Sequence, residues 1–435
     1  MKLAKATFAI CLLLAPALFP AAANAVTIER VVSPKGIVAW LVQEDAIPLI
    51  AMSFAFEGGS AQDPADKPGV ANLLSGLLDE GAGPLDSKAF QKALEDDSIS
   101  MSFDVGRDTF EGSLRTLVEN RDEAAHLLKL ALTEPRFDPE PVERIRAQIL
   151  TGLKADQTDP GDLASRALMA SLFPGHPYGR PSDGTIDSVA SITREDLQDY
   201  FNKIVAKDNL AIAVVGAIDP GELATLLDEV FGDLPVKANR AGVAEAAPQA
   251  GGDTTIPMAI PQTVIQIAGK GLKRDDPDFI AASVAAYILG GGSFSSRLYE
   301  EVREKRGLAY SVYLGLVPLD HAGLVYVGTS TRADQADTVV DLIEREIRKF
   351  AEEGPTEKEL ADAKDYLIGS YPLRFDTSQA IASQLLAIQL EGLGIDYINK
   401  RNDMIAAVTI EDVRKAAARL FTDDMTIVRV GQPAT

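Results

Sequence analysis

The residues best suited to chemistry lie in the segment 289–312, LGGGSFSSRLYEEVREKRGLAYSV. Within it, Arg303 and Tyr310 stand seven residues apart, on either side of a predicted helix-to-strand junction. A guanidinium and a phenol are both hydrogen-bond donors, so this pair could hold a peptide backbone. Each residue also has a simpler interpretation. Arg303 could pair with Glu300 or Glu304 on a solvated helix face, and Tyr310 could be an ordinary core residue of an alternating strand.

The rest of the chain offers little catalytic machinery. The histidines at 126, 176 and 321 include no pair four residues apart, the helical spacing that directs two imidazoles to one metal. We predict a surface or packing role for His126, a structural hydrogen bond for His176 in the turn LFPGHPYGRP, and a hairpin turn for His321. Cys11 is the only cysteine, and no G-x-S-x-G elbow supports a serine nucleophile.

Two segments that end the two halves of the chain indicate an internal duplication. Residues 189–216 and 405–431 each contain a predicted threonine N-cap, an amphipathic helix, an aspartate turn and a β-branched strand ending in glycine. The caps are Thr193 and Thr409. In each half the strands and the helices come in separate runs, which is typical of an α+β domain with a largely antiparallel sheet covered by helices. We therefore predict two homologous domains, each an αβ roll.

The pattern also predicts where the elements lie. In the first copy we place strands near 27–32, 37–43, 49–56, 99–106, 109–117 and 209–215, and helices near 69–79, 87–96, 120–133, 139–157, 160–173 and 193–205. In the second copy we place strands near 263–269, 308–317, 322–330 and 425–430, and helices near 276–289 and 294–305. Gly307 is a predicted helix stop. We interpret Gly290–Gly292 as a flexible turn, with a substrate-facing loop as the alternative.

Composition and the first residues predict the compartment. Residues 1–25 have a basic start, an apolar stretch and the small-x-small pattern Ala23-Asn24-Ala25, which together indicate a secretory signal. The apolar stretch is shorter than the ~20 residues that span a bilayer, so we expect no membrane span. The formal net charge of −22 argues against a nucleic-acid partner. We expect a periplasmic protein with domains at 26–235 and 257–435, joined by an Ala/Gly/Pro-rich linker at 236–256.

The chain resembles the pitrilysin-type metallopeptidases, which include insulin-degrading enzyme and mitochondrial processing peptidase. The resemblance extends over essentially the whole chain after the signal and is sharpest in SSRLYEEVREKRGLAYSV. Such peptidases carry an inverted H-x-x-E-H zinc motif on a helix of the first domain. The corresponding positions in this chain are Asn72, Ser75 and Gly76, and the stretch from Arg144 through Ala155, where a further glutamate ligand is expected, has no carboxylate. We therefore expect the chain to bind no zinc.

The second-domain motif is present by contrast. The resemblance implies that Arg303 hydrogen-bonds the substrate backbone near the scissile bond and that the Tyr310 hydroxyl stabilises the oxyanion. We therefore predict a non-catalytic subunit, inactive alone, of a heterodimeric zinc metallopeptidase that cleaves peptides or unfolded segments. A homologous partner with an intact H-x-x-E-H motif would hold the zinc. The alternative is a degenerate homologue with a structural or peptide-binding role and no peptidase partner.

Overall fold

Two β-sheets, one in each half of the chain, form the framework of this computed structural model, which describes residues 27–422 and 424–432. The predicted signal sequence, including Cys11, lies outside the described residues. Most neighbouring strands are antiparallel, and helices cover both sheets. The predicted α+β architecture is therefore confirmed.

The first sheet contains β1 (Glu29–Val32), β2 (Val38–Gln43), β3 (Leu49–Glu57), β4 (Ser100–Val105), β5 (Thr109–Leu117) and β6 (Leu210–Gly216). Their order in space is β1-β2-β6-β3-β5-β4, and β2 runs parallel to β6. Strand β3 pairs on both sides and is buried along nearly all of its length. The continuous apolar sequence of β3 suits a strand that is covered on both faces.

The second sheet contains β7 (Asp253–Pro257), β8 (Gln262–Lys270), β9 (Ala309–Leu319), β10 (Ala322–Arg332) and β11 (Thr426–Gly431). Its order is β7-β11-β8-β10-β9, and β7 runs parallel to β11. This order repeats that of the first sheet from β2 through to β4, including the one parallel pair. The internal duplication inferred from the sequence is thus visible in the strand topology.

Strand β7 corrects one prediction. Its residues 253–256 belong to the segment 236–256, which the sequence analysis treats as linker. Thr254 and Thr255 are β-branched and suit a strand, but the segment has no apolar periodicity to reveal it. The strand forms because β11, from the far end of the chain, supplies backbone partners such as Val428 opposite Thr254.

The helices of the first half are α1 (Val70–Ser75), α2 (Ser87–Asp96), α3 (Arg121–Thr133), α4 (Pro139–Asp156), α5 (Pro160–Leu172), α6 (Ile186–Ser191), α7 (Arg194–Ile204) and α8 (Pro220–Phe231). Those of the second half are α9 (Phe279–Ala286), α10 (Arg297–Tyr299), α11 (Ala336–Glu353), α12 (Glu357–Gly369), α13 (Ser378–Leu390), α14 (Tyr397–Ala407) and α15 (Ile410–Leu420). Within the described ranges, no helix is both long and apolar enough to cross a membrane.

The predicted threonine caps are confirmed. The Thr193 hydroxyl accepts a hydrogen bond from the Asp196 N–H at the start of α7, and the Asp196 carboxylate accepts one from the Thr193 N–H. Thr409 and Asp412 make the same reciprocal pair at the start of α15. These local bonds satisfy N–H groups that a helix start leaves without partners.

Each half contributes a helix to the sheet of the other half. Helix α5 of the first half packs Leu168 and Leu172 against β8 and β11, and Ser165 Oγ is 3.0 Å from Gln266 Nε2 of β8. Helix α13 of the second half packs Leu385 against β3 and β6, and the Gln389 amide donates to the Ile212 carbonyl at 2.9 Å. The two halves are therefore joined by two apolar interfaces.

The turns of two β-hairpins, one from each sheet, meet where the halves adjoin. The Tyr178 hydroxyl donates to Asp108 Oδ1 at 2.6 Å and accepts from the His321 N–H at 3.1 Å. The Asp320 N–H donates to Asp108 Oδ2 at 3.2 Å. Partial burial and the neighbouring Asp108 carboxylate together raise the pKa of Asp320 to about 6.

Replacing Asp320 with asparagine is expected to stabilise the chain at about pH 8. A carboxyl group with a raised folded-state pKa costs stability above that pKa, and the cost disappears as the pH falls below its ordinary pKa of 3.8. Because part of the Asp320 side chain remains open to solvent, which screens the neighbouring charge, we expect a gain of only about 1 kcal/mol. Melting temperatures at about pH 8 and about pH 4 should show the gain at the higher pH alone.

A matched control for this experiment is Asp334→Asn. The Asp334 carboxylate pairs with Arg332 at 2.7 Å, and that hydrogen bond lowers its pKa, so its replacement should not stabilise the chain at about pH 8. An equal gain for Asp320→Asn at both pH values would contradict the role of its charge.

Candidate functional site

Arg303 lies on a short helical segment that a tight turn connects to the start of β9. Helix α10 continues into a π-helical segment, Glu300–Glu304, and this backbone ends at Gly307, which has a left-handed φ of 61°. The Gly307 N–H donates to the Arg303 carbonyl at 2.8 Å, and the next N–H, of Leu308, donates to the Val302 carbonyl at 2.9 Å. The predicted helix stop at Gly307 is confirmed, and it turns the chain directly into β9.

Aromatic rings hold the Arg303 guanidinium. Its central carbon is 4.8 Å from the ring centre of Tyr310, 4.9 Å from that of Tyr299 and 5.9 Å from that of Phe294. Its contact with the Glu304 carboxylate is long, with Nε 3.9 Å from Oε1. Stacking on rings leaves the edge of a guanidinium available for hydrogen bonds to another molecule. Arg303 is thus placed mainly by cation–π contacts.

A β-bulge sets the direction of Tyr310. Thr329 of β10 pairs with Val312 and Thr331 pairs with Ala309, so Tyr310 and Ser311 together face one residue of β10. Two exposed residues therefore follow each other in β9, and Tyr310 is 81% exposed. The alternative that Tyr310 is an ordinary core residue is wrong. The structure brings Tyr310 and Arg303 together at the surface, on the last strand of the second sheet.

The glycine cluster begins as packed helical backbone, which corrects the prediction of a flexible turn. Tyr287–Gly291 is a π-helical segment that extends α9. Gly290 is buried, and a Cβ atom at this position would lie 2.5 Å from Leu314 Cβ and 2.7 Å from the Leu314 nitrogen. Glycine is needed here because two backbones approach closely, not because the segment bends. The consequence is a firm contact between this segment and β9.

The sequence analysis also missed Phe294, which follows the glycine cluster. Its side chain is 79% exposed, and its ring centre is 5.2 Å from that of Tyr299. The signal that could have revealed it is an aromatic residue flanked by serines and glycines. Such neighbours do not form an apolar face with which its ring could be buried. The exposed Phe294 and Tyr310 and the half-buried Arg303 form one group at the surface, which we call the Arg–Tyr surface.

The degenerate motif lies on α1, where the side chains do not fit a zinc ion. Asn72 is half-buried, and the Ser75 hydroxyl donates to the Asn72 carbonyl at 2.9 Å. A Cβ atom on Gly76 would lie 2.9 Å from Ile145 Cγ2. The Ile145 side chain therefore fills the space that a larger residue at position 76 would need. None of the three supplies an imidazole or a carboxylate. Throughout residues 27–422 and 424–432, no group of three or more His, Cys, Asp or Glu could hold a metal ion.

The end of α1 differs from the prediction. The helix stops at Ser75 and does not reach the expected position 79, because glycine follows at 76. Asp79 and Glu80 lie in a half-buried turn that follows the helix. Glu80 Oε2 accepts hydrogen bonds from Arg144 and from Ser87, both at 2.5 Å. These carboxylates have structural partners in α2 and α4.

The histidines have separate structural contacts. The Tyr178 N–H donates to His176 Nδ1 at 3.2 Å, and His176 Nε2 is 2.9 Å from the Ala244 carbonyl oxygen, so the predicted structural role of His176 is confirmed. His321 lies in the β9–β10 turn, as predicted, and its Nδ1 is 3.4 Å from Glu245 Oε1. His126 is exposed on α3, as its predicted surface role requires.

Comparison with known proteins identifies the relatives of this chain. Residues 191–367 match the family described as the peptidase M16 inactive domain. The structure of a peptidase M16 inactive domain from Pseudomonas fluorescens is 32% identical, with a TM-score of 0.88, over 93% of this chain and 98% of that one. The non-peptidase homolog YmxG of Helicobacter pylori is 28% identical over 84% of this chain and 85% of its own length. An uncharacterized zinc protease of Mycobacterium leprae is 27% identical over 83% and 82%.

Proposed function

This chain belongs to the peptidase M16 family, the pitrilysin-type family that its sequence resembles, as an inactive member, and we propose that it is the non-catalytic subunit of a heterodimeric zinc metallopeptidase. A homologous partner subunit with an intact H-x-x-E-H motif holds the zinc ion and the general base. This chain supplies the Arg–Tyr surface to the shared site. The substrates are peptides or unfolded segments, and the complex works in the periplasm.

One observation carries the proposal: the Arg303 guanidinium lies against the exposed Tyr310 ring, 4.8 Å from its centre, while α1 lacks metal ligands. A solvent-exposed tyrosine beside a half-buried arginine gives no obvious benefit to the fold, since exposed apolar area is not removed from water. The same arrangement presents two hydrogen-bond donors, the Arg303 guanidinium and the Tyr310 hydroxyl, to a molecule that lies along β9. The described part of this chain has the two donors but no metal site beside them. This supports a catalytic site that is shared with another chain.

The two donors would act at different atoms of the substrate. Arg303, anchored on the rings, donates to a backbone carbonyl oxygen beside the scissile bond, and a charge-assisted bond of this kind contributes roughly 1.5–3 kcal/mol. The Tyr310 hydroxyl donates to the carbonyl oxygen as negative charge develops there in the transition state. Both groups bind backbone atoms, so the selectivity for side chains must come from other parts of the complex.

The test is reconstitution. The full chain purified alone is expected to bind little zinc and to leave unfolded polypeptides uncleaved, because Asn72, Ser75 and Gly76 cannot ligate the ion. Chains that co-purify with it from the periplasm should include a homologue with the intact motif, and mixing the two should give peptidase activity that a chelator removes. Chelator-sensitive cleavage by the isolated chain would overturn the proposal.

A second candidate is a structural or peptide-binding homologue without a peptidase partner, which the name of the similar Helicobacter pylori protein, a non-peptidase homolog, favours. It predicts that affinity capture followed by mass spectrometry recovers no H-x-x-E-H homologue. It also predicts that Arg303 affects no peptidase activity. The identity of the captured chains therefore separates the two functions.

A further inference from the structure

A cavity of about 440 Å³ lies in the second half, beside the Arg–Tyr surface. Strand β9 and helices α9, α12, α13 and α14 enclose it. Its size is within the range of small-molecule and side-chain sites, roughly 300–1,000 Å³. Arg374 and Glu391 line it and are exposed to solvent, so the cavity is open on their side. A ligand could therefore enter without unfolding a helix.

The lining carries more positive than negative charge. It contains Arg274, Arg374 and Arg401 but a single acidic residue, Glu391. Arg274 is neutralised, since its Nε lies 2.9 Å from Glu391 Oε2 and its guanidinium also donates to the Tyr397 hydroxyl at 2.7 Å. Two guanidinium groups thus remain without a carboxylate partner in the described part of the chain. This excess occurs in a protein whose formal net charge is −22.

Arg401 is held in place without being neutralised. Its guanidinium carbon lies 4.1 Å from the ring centre of Tyr371, and Nη1 donates to the Leu367 carbonyl at 3.1 Å and to Asn402 Oδ1 at 3.2 Å. These partners are neutral, so the positive charge of Arg401 is retained in a partly dry environment. Burial of an uncompensated charge is costly, and an anion in the cavity would offset that cost.

A buried hydroxyl in the same lining also lacks a partner. Tyr371 is 5% exposed, and its hydroxyl makes no hydrogen bond within the described ranges. A buried donor without an acceptor costs roughly 1–3 kcal/mol. Tyr371 stacks against Arg401, so the orphaned hydroxyl and the uncompensated guanidinium belong to one cluster. Both groups are donors: the Arg401 side chain lines the cavity, whereas the Tyr371 hydroxyl oxygen is buried beside it.

The cavity adjoins the Arg–Tyr surface along β9. Leu314, Leu316 and Pro318 of β9 line it, whereas Tyr310 lies at the start of the same strand. At ~3.3 Å per residue, Leu314 is about 13 Å from Tyr310 along the strand. An extended peptide held at Tyr310 would therefore reach the cavity within about four residues.

We infer that this cavity binds a carboxylate, supplied by an acidic side chain or by the carboxyl terminus of a peptide that lies along β9. Arg374 at the mouth and Arg401 deeper in the lining provide the charge-assisted bonds. The peptide as the source of the carboxylate rests on the proposed function; the carboxylate site itself does not. A free dicarboxylate has the same chemistry and is the other source that the experiment must separate.

Calorimetric titration of the full chain, without any partner, tests the site. The first pair of ligands is a peptide of about six residues, blocked at both ends, with either one glutamate or one glutamine. The second pair is a peptide of the same length without acidic side chains, ending in either a free carboxyl group or an amide. Glutarate is the free dicarboxylate. Of the glutamate peptide and the peptide with a free carboxyl terminus, the one that binds more tightly should bind at least about tenfold more tightly than its own amide counterpart. Its affinity should fall in about 0.5 M salt. Equal binding of acids and amides would overturn the site, and binding of glutarate without peptides would overturn the peptide source.

Arg374→Gln is the informative variant, because Arg374 is exposed and its loss should leave the fold intact. We expect about a tenfold loss of carboxylate affinity at an unchanged melting temperature, and a similar loss for Arg401→Gln. Arg348→Gln is the matched control, since Arg348 is also exposed but pairs with Glu344 outside this cavity. Wild-type affinity in Arg374→Gln would overturn the assignment, whether or not a peptidase partner is found.

Discussion

Replacing Tyr310 with phenylalanine is expected to lower the turnover number of the reconstituted peptidase by roughly 100- to 1000-fold, the usual effect of losing one oxyanion donor. The variant keeps the ring on which the Arg303 guanidinium lies, 4.8 Å away, so Arg303 should stay in place. Because the hydroxyl acts mainly on the transition state, KM should change little. Initial rates over a range of peptide concentrations give kcat and KM separately.

The control for Tyr310→Phe is Tyr313→Phe. Tyr313 is a second exposed tyrosine of β9, three residues further along, but its ring packs against that of Tyr326 of β10, with ring centres 5.5 Å apart. Its replacement should leave turnover within about twofold of the original value, as surface substitutions away from a site usually do. Near-normal turnover in Tyr310→Phe, or an equal loss in both variants, would refute the role given to the Tyr310 hydroxyl.

Replacing Arg303 with lysine should lower kcat/KM of the complex by roughly 10- to 100-fold, the equivalent of a charge-assisted bond of about 1.5–3 kcal/mol. Lysine keeps the charge but lacks the planar group that stacks on Tyr299 and Tyr310 while presenting N–H donors at its edge. Part of the loss should be a rise in KM, because the backbone carbonyl is bound before reaction as well as during it.

Arg306→Lys is the control for Arg303→Lys. Arg306 lies three residues away, in the turn that follows the same helical segment, and pairs with Glu301 at 2.5 Å. We expect kcat/KM within about twofold of the original value. Sedimentation of each mixture should show that all variants assemble with the partner as the original chain does. Loss of assembly in Arg303→Lys would place this residue in the subunit interface and contradict its role in substrate binding.

Features that depend on neighbouring residues could be predicted well from the sequence. The Thr193 and Thr409 caps, the stop at Gly307 and the β4–β5 and β9–β10 hairpins all follow from residues a few positions apart. Local hydrogen bonds and the alternation of side chains determine these features, and both can be read along the chain.

Features that depend on distant partners could not be predicted in this way. Strand β7 exists because β11 pairs with it, and Gly290 is needed because Leu314 approaches its backbone. The crossing of α5 and α13 to the opposite sheets requires surfaces whose sequences lie far apart in the chain. Packing between such segments has no signature in either one alone, since many apolar helices could cover the same sheet.

The sequence by itself determined that Arg303 and Tyr310 are present at a helix-to-strand junction and that the metal-ligand positions are occupied by Asn72, Ser75 and Gly76. Residue identity and short spacing were sufficient for the first conclusion, whereas the second also rests on the resemblance to the pitrilysin-type peptidases. Only the tertiary structure decided that Tyr310 is exposed, because the bulge opposite β10 changes the alternation of β9. It also decided that rings rather than carboxylates hold Arg303, because the two residues and Tyr299 meet only once the helix and the strand have packed together.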